Sequence, residues 1–224
     1  MKRITQKDRI AGFYQRFPLT DFFSFDITPW VSVVMFEGDE TIMSEGVPPV
    51  YLYYLIDGRA KLYLTHDNGR ISLINFLSAP CLLGEMELIG AQSAANGITA
   101  VTPCTCYAIR ISECKAMLMN DVRFMRSLCL FLGRKAIGNT SNYAQNQSYP
   151  LRVRLAGFIL LTSNNGYYRE KHTEISEYLG VTYRHLLYVL SVFVKKGFLE
   201  KTEKGYRIQS PEALWKIAHS DEGA

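Results

Sequence analysis

The feature that most constrains this chain is a change of hydrophobic period near residue 111. From Val31 to Ile109 short runs rich in Val, Ile, Leu and Tyr alternate with turn residues, and helical periodicity is absent. Beyond Ile111, apolar residues recur at three- and four-residue steps. Many short strands at such spacing suggest a sandwich or barrel, so the expected class is α+β, with an all-β N-terminal part and a helical remainder. The breaks fall at Glu37-Gly38-Asp39, Glu45-Gly46, Asp57-Gly58, Asp67-Asn68-Gly69, Ala79-Pro80 and Thr102-Pro103, residue types that favour positive φ or a preset φ. Asn68-Gly69 is the best hairpin signal. Tyr51 to Ile56 and Ala60 to Leu64, flanking Asp57-Gly58-Arg59, are expected to pair as antiparallel strands.

In the helical part, Ser112 to Met119 suits a short helix, and Asp121 can cap a long one running to about Tyr143. Met125, Cys129, Leu132, Ala136, Asn139 and Tyr143 recur at alternating four- and three-residue steps, with Phe124, Leu128 and Phe131 widening the first half. Such a stripe serves either a seam between two subunits or the cover of the chain's own β-domain, and the polar Asn139 tilts the reading towards pairing. The polar segment Ala144 to Ser148, followed by Tyr149-Pro150, marks a domain boundary.

Past that boundary, Leu151 to Leu161 is helical in period and Ser163-Asn164-Asn165-Gly166 is a break. Thr173 to Leu179 then forms a short amphipathic helix with Ile175 and Leu179 on one face, Gly180-Val181 turns the chain, and Thr182 caps a second helix from Tyr183 to Lys195. Leu186, Val189, Leu190 and Phe193 face inward at i, i+3, i+4 and i+7, while Tyr183, Arg184, His185 and Tyr188 lie on the other face, near the N-terminal end. Hydrogen-bonding side chains there are what a recognition helix offers to a major groove, and Arg184 can pair bidentately with guanine. Lys204-Gly205 reads as the turn of a basic wing carrying Lys201, Lys204 and Arg207 for phosphate contacts, and Thr173 adds a further contact.

Bulk properties support this reading without deciding it. The 224 residues are 48% hydrophobic and 21% charged, ordinary for one or two globular domains. The formal net charge is +4, with 14 basic and 13 acidic residues before Gln147 and 11 and 8 from there on. Met1 to Ile10 carries four basic residues but no apolar core, and no stretch approaches the roughly 18 apolar residues of a membrane span. A cytoplasmic protein with no membrane partner is expected. A Walker loop, G-x-S-x-G, H-E-x-x-H and C-x-x-C are all missing from the sequence, so an enzyme is not expected.

Five scattered cysteines do not make a disulfide scaffold. Cys104 and Cys106, two apart on an expected strand, share a face, with Cys81 and Cys114 elsewhere in the same domain. Packing is the preferred role. The alternative is a thiol, metal or iron-sulfur sensor, which requires Cys81, Cys104 and Cys106 within bonding reach. His66, His172, His185 and His219 have no ligand spacing with them.

Gly38-Asp39, Glu45-Gly46, Tyr53-Tyr54-Leu55-Ile56-Asp57-Gly58 and Gly84-Glu85-Met86-Glu87-Leu88-Ile89, followed by a long helix and a winged helix-turn-helix, resemble the cyclic-AMP receptor and fumarate-nitrate regulator superfamily over nearly the whole chain. Asn146 to Leu151 and Tyr178 to Leu190 look more narrowly like its YeiL branch. The resemblance implies a cyclic-nucleotide-binding-like β-roll with an N-terminal arm over 1–120, a dimerisation helix over 121–146 and a winged helix-turn-helix DNA-binding domain over 147–224. It also implies a homodimer, a palindromic operator in double-stranded DNA, and RNA polymerase as partner. Met125, Leu128, Cys129, Leu132, Ala136 and Asn139 are the expected dimer interface. An unidentified small effector is expected at Gly84, Glu85, Met86, Ala95 and Asn96, with a structural Gly84-Glu85 turn that holds no ligand as the equal alternative. Cyclic-nucleotide binders carry an Arg and a Ser or Thr about ten residues after the Gly-Glu pair, where this chain has Ser93-Ala94-Ala95-Asn96-Gly97, so cyclic AMP is not the expected ligand. Iron-sulfur members place a cysteine cluster in the N-terminal arm, and Met1 to Trp30 contains no cysteine. The remaining alternative is a nucleotide-binding module that does not bind DNA.

Overall fold

A computed structural model describes residues 1–69 and 71–219, the side chains of 142–147 excepted. The chain divides into two compact units between Lys135 and Ala136. The first begins with strand β1 (Lys2–Arg3), helix α1 (Lys7–Arg16) and a single helical turn at Thr28–Trp30. The β-roll follows as β2 (Val31–Phe36), β3 (Thr41–Met43), β4 (Tyr51–Asp57), β5 (Arg59–Thr65), β6 (Ile71–Ser78), β7 (Cys81–Leu83), the short helix α2 (Glu85–Leu88), β8 (Gly97–Ala100) and β9 (Cys104–Arg110). Two helices come next, α3 (Ile111–Asn120) and α4 (Val122–Ser148), the latter running on into the second unit. The rest of the second unit is α5 (Leu151–Thr162), β10 (Tyr167–Tyr168), α6 (His172–Tyr178), α7 (Tyr183–Lys195), β11 (Leu199–Thr202), β12 (Gly205–Ile208) and α8 (Pro211–Ala218). The α+β class and the winged helix-turn-helix are as expected. Among the described residues no helix is long and apolar enough to cross a membrane.

The β-roll is two antiparallel sheets, β1-β2-β9-β4-β7 and β3-β8-β5-β6. The period of two explains how both faces of the first sheet are used. On β9, Cys104, Cys106 and Ala108 join Val34, Leu55, Leu83, Ala60 and Ile98 between the sheets. Tyr107 and Ile109 turn the other way, into a cluster with Leu52 of β4, Ile4 from the N-terminal arm, and Phe124 and Leu128 from α4. The expected pairing of Tyr51–Ile56 with Ala60–Leu64 does not occur. β4 pairs with β7 and β9, whereas β5 pairs with β6 and β8 in the other sheet. Gly58 makes the crossing: its φ is +96°, and a Cβ there would lie 2.3 Å from the Pro103 carbonyl oxygen. A turn with hairpin chemistry is therefore a sheet-to-sheet corner. The segment around Asn68-Gly69 does join a hairpin, β5 to β6.

The start of α4 ties the arm to the roll. Asp121 is 5% exposed, and its Oδ1 accepts the Arg123 backbone N–H at 3.0 Å, the capping bond anticipated for it. Its Oδ2 accepts the N–H of Ser24, nearly a hundred residues earlier, at 2.9 Å. Burial opposes the charge, but these N–H donors outweigh it and hold the carboxyl below the usual aspartate range. Phe124, one turn on, stacks on Phe23 with ring centroids 5.3 Å apart. Asp121→Ala is expected to lower stability to urea at pH 7 by about 1–2 kcal/mol. Because the folded pKa is depressed, the carboxylate's contribution is present above the unfolded value near ~3.9 and is lost as pH falls through the folded value. The gap between wild type and variant should therefore narrow in acid, and a gap independent of pH would contradict the assignment.

Candidate DNA-reading surface and β-roll cavity

In the second unit, α6 and α7 meet through a turn in which Gly180 has φ +63°. Thr182 caps α7, its hydroxyl accepting the His185 backbone N–H at 3.2 Å. Ile175, Leu179, Leu186, Val189, Leu190 and Phe193 are all buried, as their spacing requires. That fixes the rotation of α7 and leaves Tyr183, Arg184, His185 and Tyr188 exposed on its first turns, with Thr173 exposed on α6. Two supports were not legible as such. Arg154 on α5 donates from Nη1 to the Leu179 carbonyl at 2.5 Å, holding the end of α6. His172 lies between the rings of Tyr183 and Tyr206, at 6.4 and 5.7 Å. Burial first, and Lys201 second, hold its imidazole below the usual value and hence neutral at pH 7.

The wing is β11 and β12 with Glu203-Lys204 between them, since Thr202 is opposite Gly205. Gly205 belongs to the strand rather than the turn. Its φ is +119°, and a Cβ would come within 2.3 Å of the Tyr168 carbonyl. That close neighbour is β10, an unanticipated third strand on β12, introduced by Asn165 and Gly166 at positive φ. Lys201, Lys204 and Arg207 are all exposed, but Lys201 is opposite Tyr206 and Arg207 opposite Glu200. Lys201 and Arg207 thus lie on opposite faces of the hairpin, with Lys201 on the side of His172.

In the first unit, Gly84, Glu85, Met86 and Asn96 line a cavity of about 50 Å³ with Met43, Leu83 and Lys135. Ala95, grouped with them by sequence, sits instead in the core between the sheets. Glu85 is 3% exposed, and Lys135 of α4 donates to its Oε1 at 2.7 Å. Lys135 escaped sequence reading, yet a signal existed: 128, 131, 132 and 135 follow the inward spacing i, i+3, i+4, i+7, and a lysine on such a stripe calls for a buried carboxylate.

The same spacing redistributes the expected seam. Phe124 and Leu128 are buried in the chain's own core, with Met125, Phe131 and Leu132 packed against it. Leu128, Met125 and Leu132 are thus core-facing residues, because a 4-3 repeat describes a stripe and does not say what covers it. Cys129, Leu130, Gly133, Ala136 and Ile137 face outward, and Asn139 is exposed. Tyr143 lies outside the described side chains.

A family profile described as "Cyclic nucleotide-binding domain" matches residues 33–121. In fold, the chain is similar to a protein from Eubacterium rectale assigned to the crp/fnr family of transcriptional regulators (TM-score 0.75, 16% identity, 92% of this chain and 100% of that one). It is also similar to a CRP-family transcriptional regulator from Thermus thermophilus (TM-score 0.66, 20% identity, 84% and 97%). In sequence, it is 44% identical over 198 residues to the regulatory protein YeiL of Escherichia coli O157:H7, covering 88% of this chain and 90% of that protein. The chain belongs to the Crp/Fnr family of regulators.

The name of the profile that matches residues 33–121 raises a cyclic nucleotide as ligand, and the residues present do not fit one. A cavity of about 50 Å³ is smaller than the ~150 Å³ that accommodates a benzene ring. Lys135, the one lining cation among the described residues, already pairs with Glu85, and a cyclic phosphate would have to take it away, leaving a carboxylate buried without a counter-charge.

The cysteines are free, and Cys81, Cys104, Cys106 and Cys114 are buried. Burial pushes the Cys81 thiol up to about 12, helped by the nearby Glu85, and Cys104 up to about 11; Cys106 is raised as well, again chiefly by burial. The thiolate, which is the nucleophile and metal ligand, is suppressed at all three positions. Iodoacetamide at pH 8 is expected to leave Cys81, Cys104 and Cys106 unmodified in the native protein and to label them after urea unfolding. Rapid native labelling, read by peptide mass spectrometry, would restore the thiol-sensor alternative.

Proposed function

We propose that this DNA-binding transcription regulator works as a homodimer that places two copies of α7 on a palindromic operator, with half-sites about one helical turn apart. The observation that carries the reading is the exposed set Tyr183, Arg184, His185 and Tyr188 at the capped N-terminal end of α7, above a fully buried inward stripe. A helix fixed in this way presents rigid polar groups to base edges. Arg184 supplies the fork that matches guanine O6 and N7. Lys201 and Lys204 neutralise phosphates, and Arg207, on the other face of the wing, contributes at longer range. RNA polymerase is the partner implied by such a role, in the cytoplasm where the operator is.

Pairing is supported by the outward face of α4. Ile137 is 69% and Leu130 54% exposed within the chain, and Gly133 has nothing within 4 Å of a Cβ position. A glycine inside a helix costs about 1 kcal/mol, and no packing among the described residues offsets it. A small residue between Leu130 and Ile137 lets a second helix approach closely, so the proposed seam is Cys129, Leu130, Gly133, Ala136 and Ile137.

Arg184→Ala is expected to weaken operator binding by 1–3 kcal/mol and relax preference at one base pair per half-site. Unchanged affinity and preference in a gel-shift titration would remove α7 as the reading helix. Leu130→Asp together with Ile137→Asp should give monomers in sedimentation, whereas Leu128→Ala should lower stability with the dimer retained. A dimer surviving the double aspartate substitution would place the seam elsewhere.

A further inference from the structure

Glu85 poses a physical problem that the DNA-reading surface does not address. Its carboxylate lies in a cavity lined by apolar Met43, Leu62, Leu77, Leu83 and Ile98 and by polar Glu87, Gln92 and Asn96, and at 3% exposure an uncompensated charge there is strongly disfavoured. In a site built for a small molecule, the missing partner would arrive with the ligand. Here the chain provides it: Lys135 is partly buried, its ammonium 2.7 Å from Oε1, with a side chain 28% exposed against 4% for Glu85. The remaining volume of about 50 Å³ leaves room for little more than water.

We propose that Lys135 is the β-roll's own ligand: its ammonium occupies the place of an effector on Glu85, joins α4 to α2, and makes operator binding independent of any small molecule. The pair acts through the rotation of α4. With about 100° per residue, Lys135 pointing into the roll turns Ile137 to nearly the opposite side, where Leu130 and Ile137 are exposed. The contact that satisfies Glu85 therefore also sets which face of α4 is offered to a second copy. A helix bearing an unpaired Glu85 beneath it loses that preference, and with it the pairing on which operator binding depends. This inference rests on the reading of the chain as a dimeric DNA binder.

The test uses the full chain, a duplex selected by the wild type from a random pool, and four proteins: wild type, Lys135→Met, Glu85→Gln, and the exchange Glu85→Lys with Lys135→Glu. Fluorescence anisotropy gives operator affinity, and hydrogen exchange followed by mass spectrometry reports the amides of 125–140 without DNA. Wild type is expected to bind with no small molecule present and to keep its affinity within twofold in 1 mM cyclic AMP. Lys135→Met should bind at least tenfold more weakly and exchange faster across α4, Glu85→Gln should fall between, and the exchange variant should recover most of both. Circular dichroism matching wild type identifies variants that remain folded, and Glu85→Gln, the milder change, carries the test if Lys135→Met does not fold. Unchanged exchange in both single variants overturns the clamp whatever the DNA result. A wild type that needs cyclic AMP or another nucleotide to bind overturns the self-occupied site. Faster exchange in the variants alongside a wild type that enriches no duplex upholds the clamp and overturns the DNA reading instead.

Discussion

Burial of Phe124 and Leu128 beneath the β-roll is the contact on which the remainder depends. It commits the first turns of α4 to the chain's own core and sets the direction in which the later turns, with Lys135 on Glu85, continue. Lys135 then falls on Glu85, and Cys129, Leu130, Gly133 and Ile137 are left outside. A helix with no such commitment could satisfy either the roll or a second subunit with the same apolar residues. This one does not have to choose, because its two stripes differ in chemistry: aromatic and leucine-rich inward, small and sparsely apolar outward.

How much was legible in the sequence follows from the range of the interactions concerned. The helix-turn-helix was fully legible, down to the inward residues and the Thr182 cap, because periodicity and capping act within four residues. That Cys104 and Cys106 share a face was legible for the same reason. Gly58 was misread because turn chemistry specifies a local reversal without saying which sheet receives the next strand; the close Pro103 carbonyl that decides it comes from 45 positions later. β10 was overlooked since a two-residue strand has no period. Lys135 and Glu85 are 50 residues apart, and only the fold reveals that each answers the other.

The cysteines illustrate how burial overrides an attractive spacing. Two thiols on one face of a strand, with a third in the same domain, have the residue types of a sensor. Yet Cys104 donates to the carbonyls of Arg59 and Thr102, at 3.2 Å each, and Cys81 to that of Leu82 at 3.4 Å. Among the described residues no group of three or more His, Cys, Asp and Glu side chains is arranged to hold a metal. Their thiols behave as small polarizable hydrophobes that fill the space between two sheets.

Tyrosine dominates the exposed end of α7, while lysine is placed on the wing. In the proposed reading, shape and hydrogen bonding at the bases reside on the helix, and most of the counter-charge for the backbone resides on a separate hairpin, tied to it through His172 between Tyr183 and Tyr206. Rings join the two elements, and the burial that chiefly keeps His172 neutral does not depend on the wing's charge, although the Lys201 charge adds to it. On that proposal, which sequence is preferred and how strongly any duplex is held would be set by different elements of one small domain.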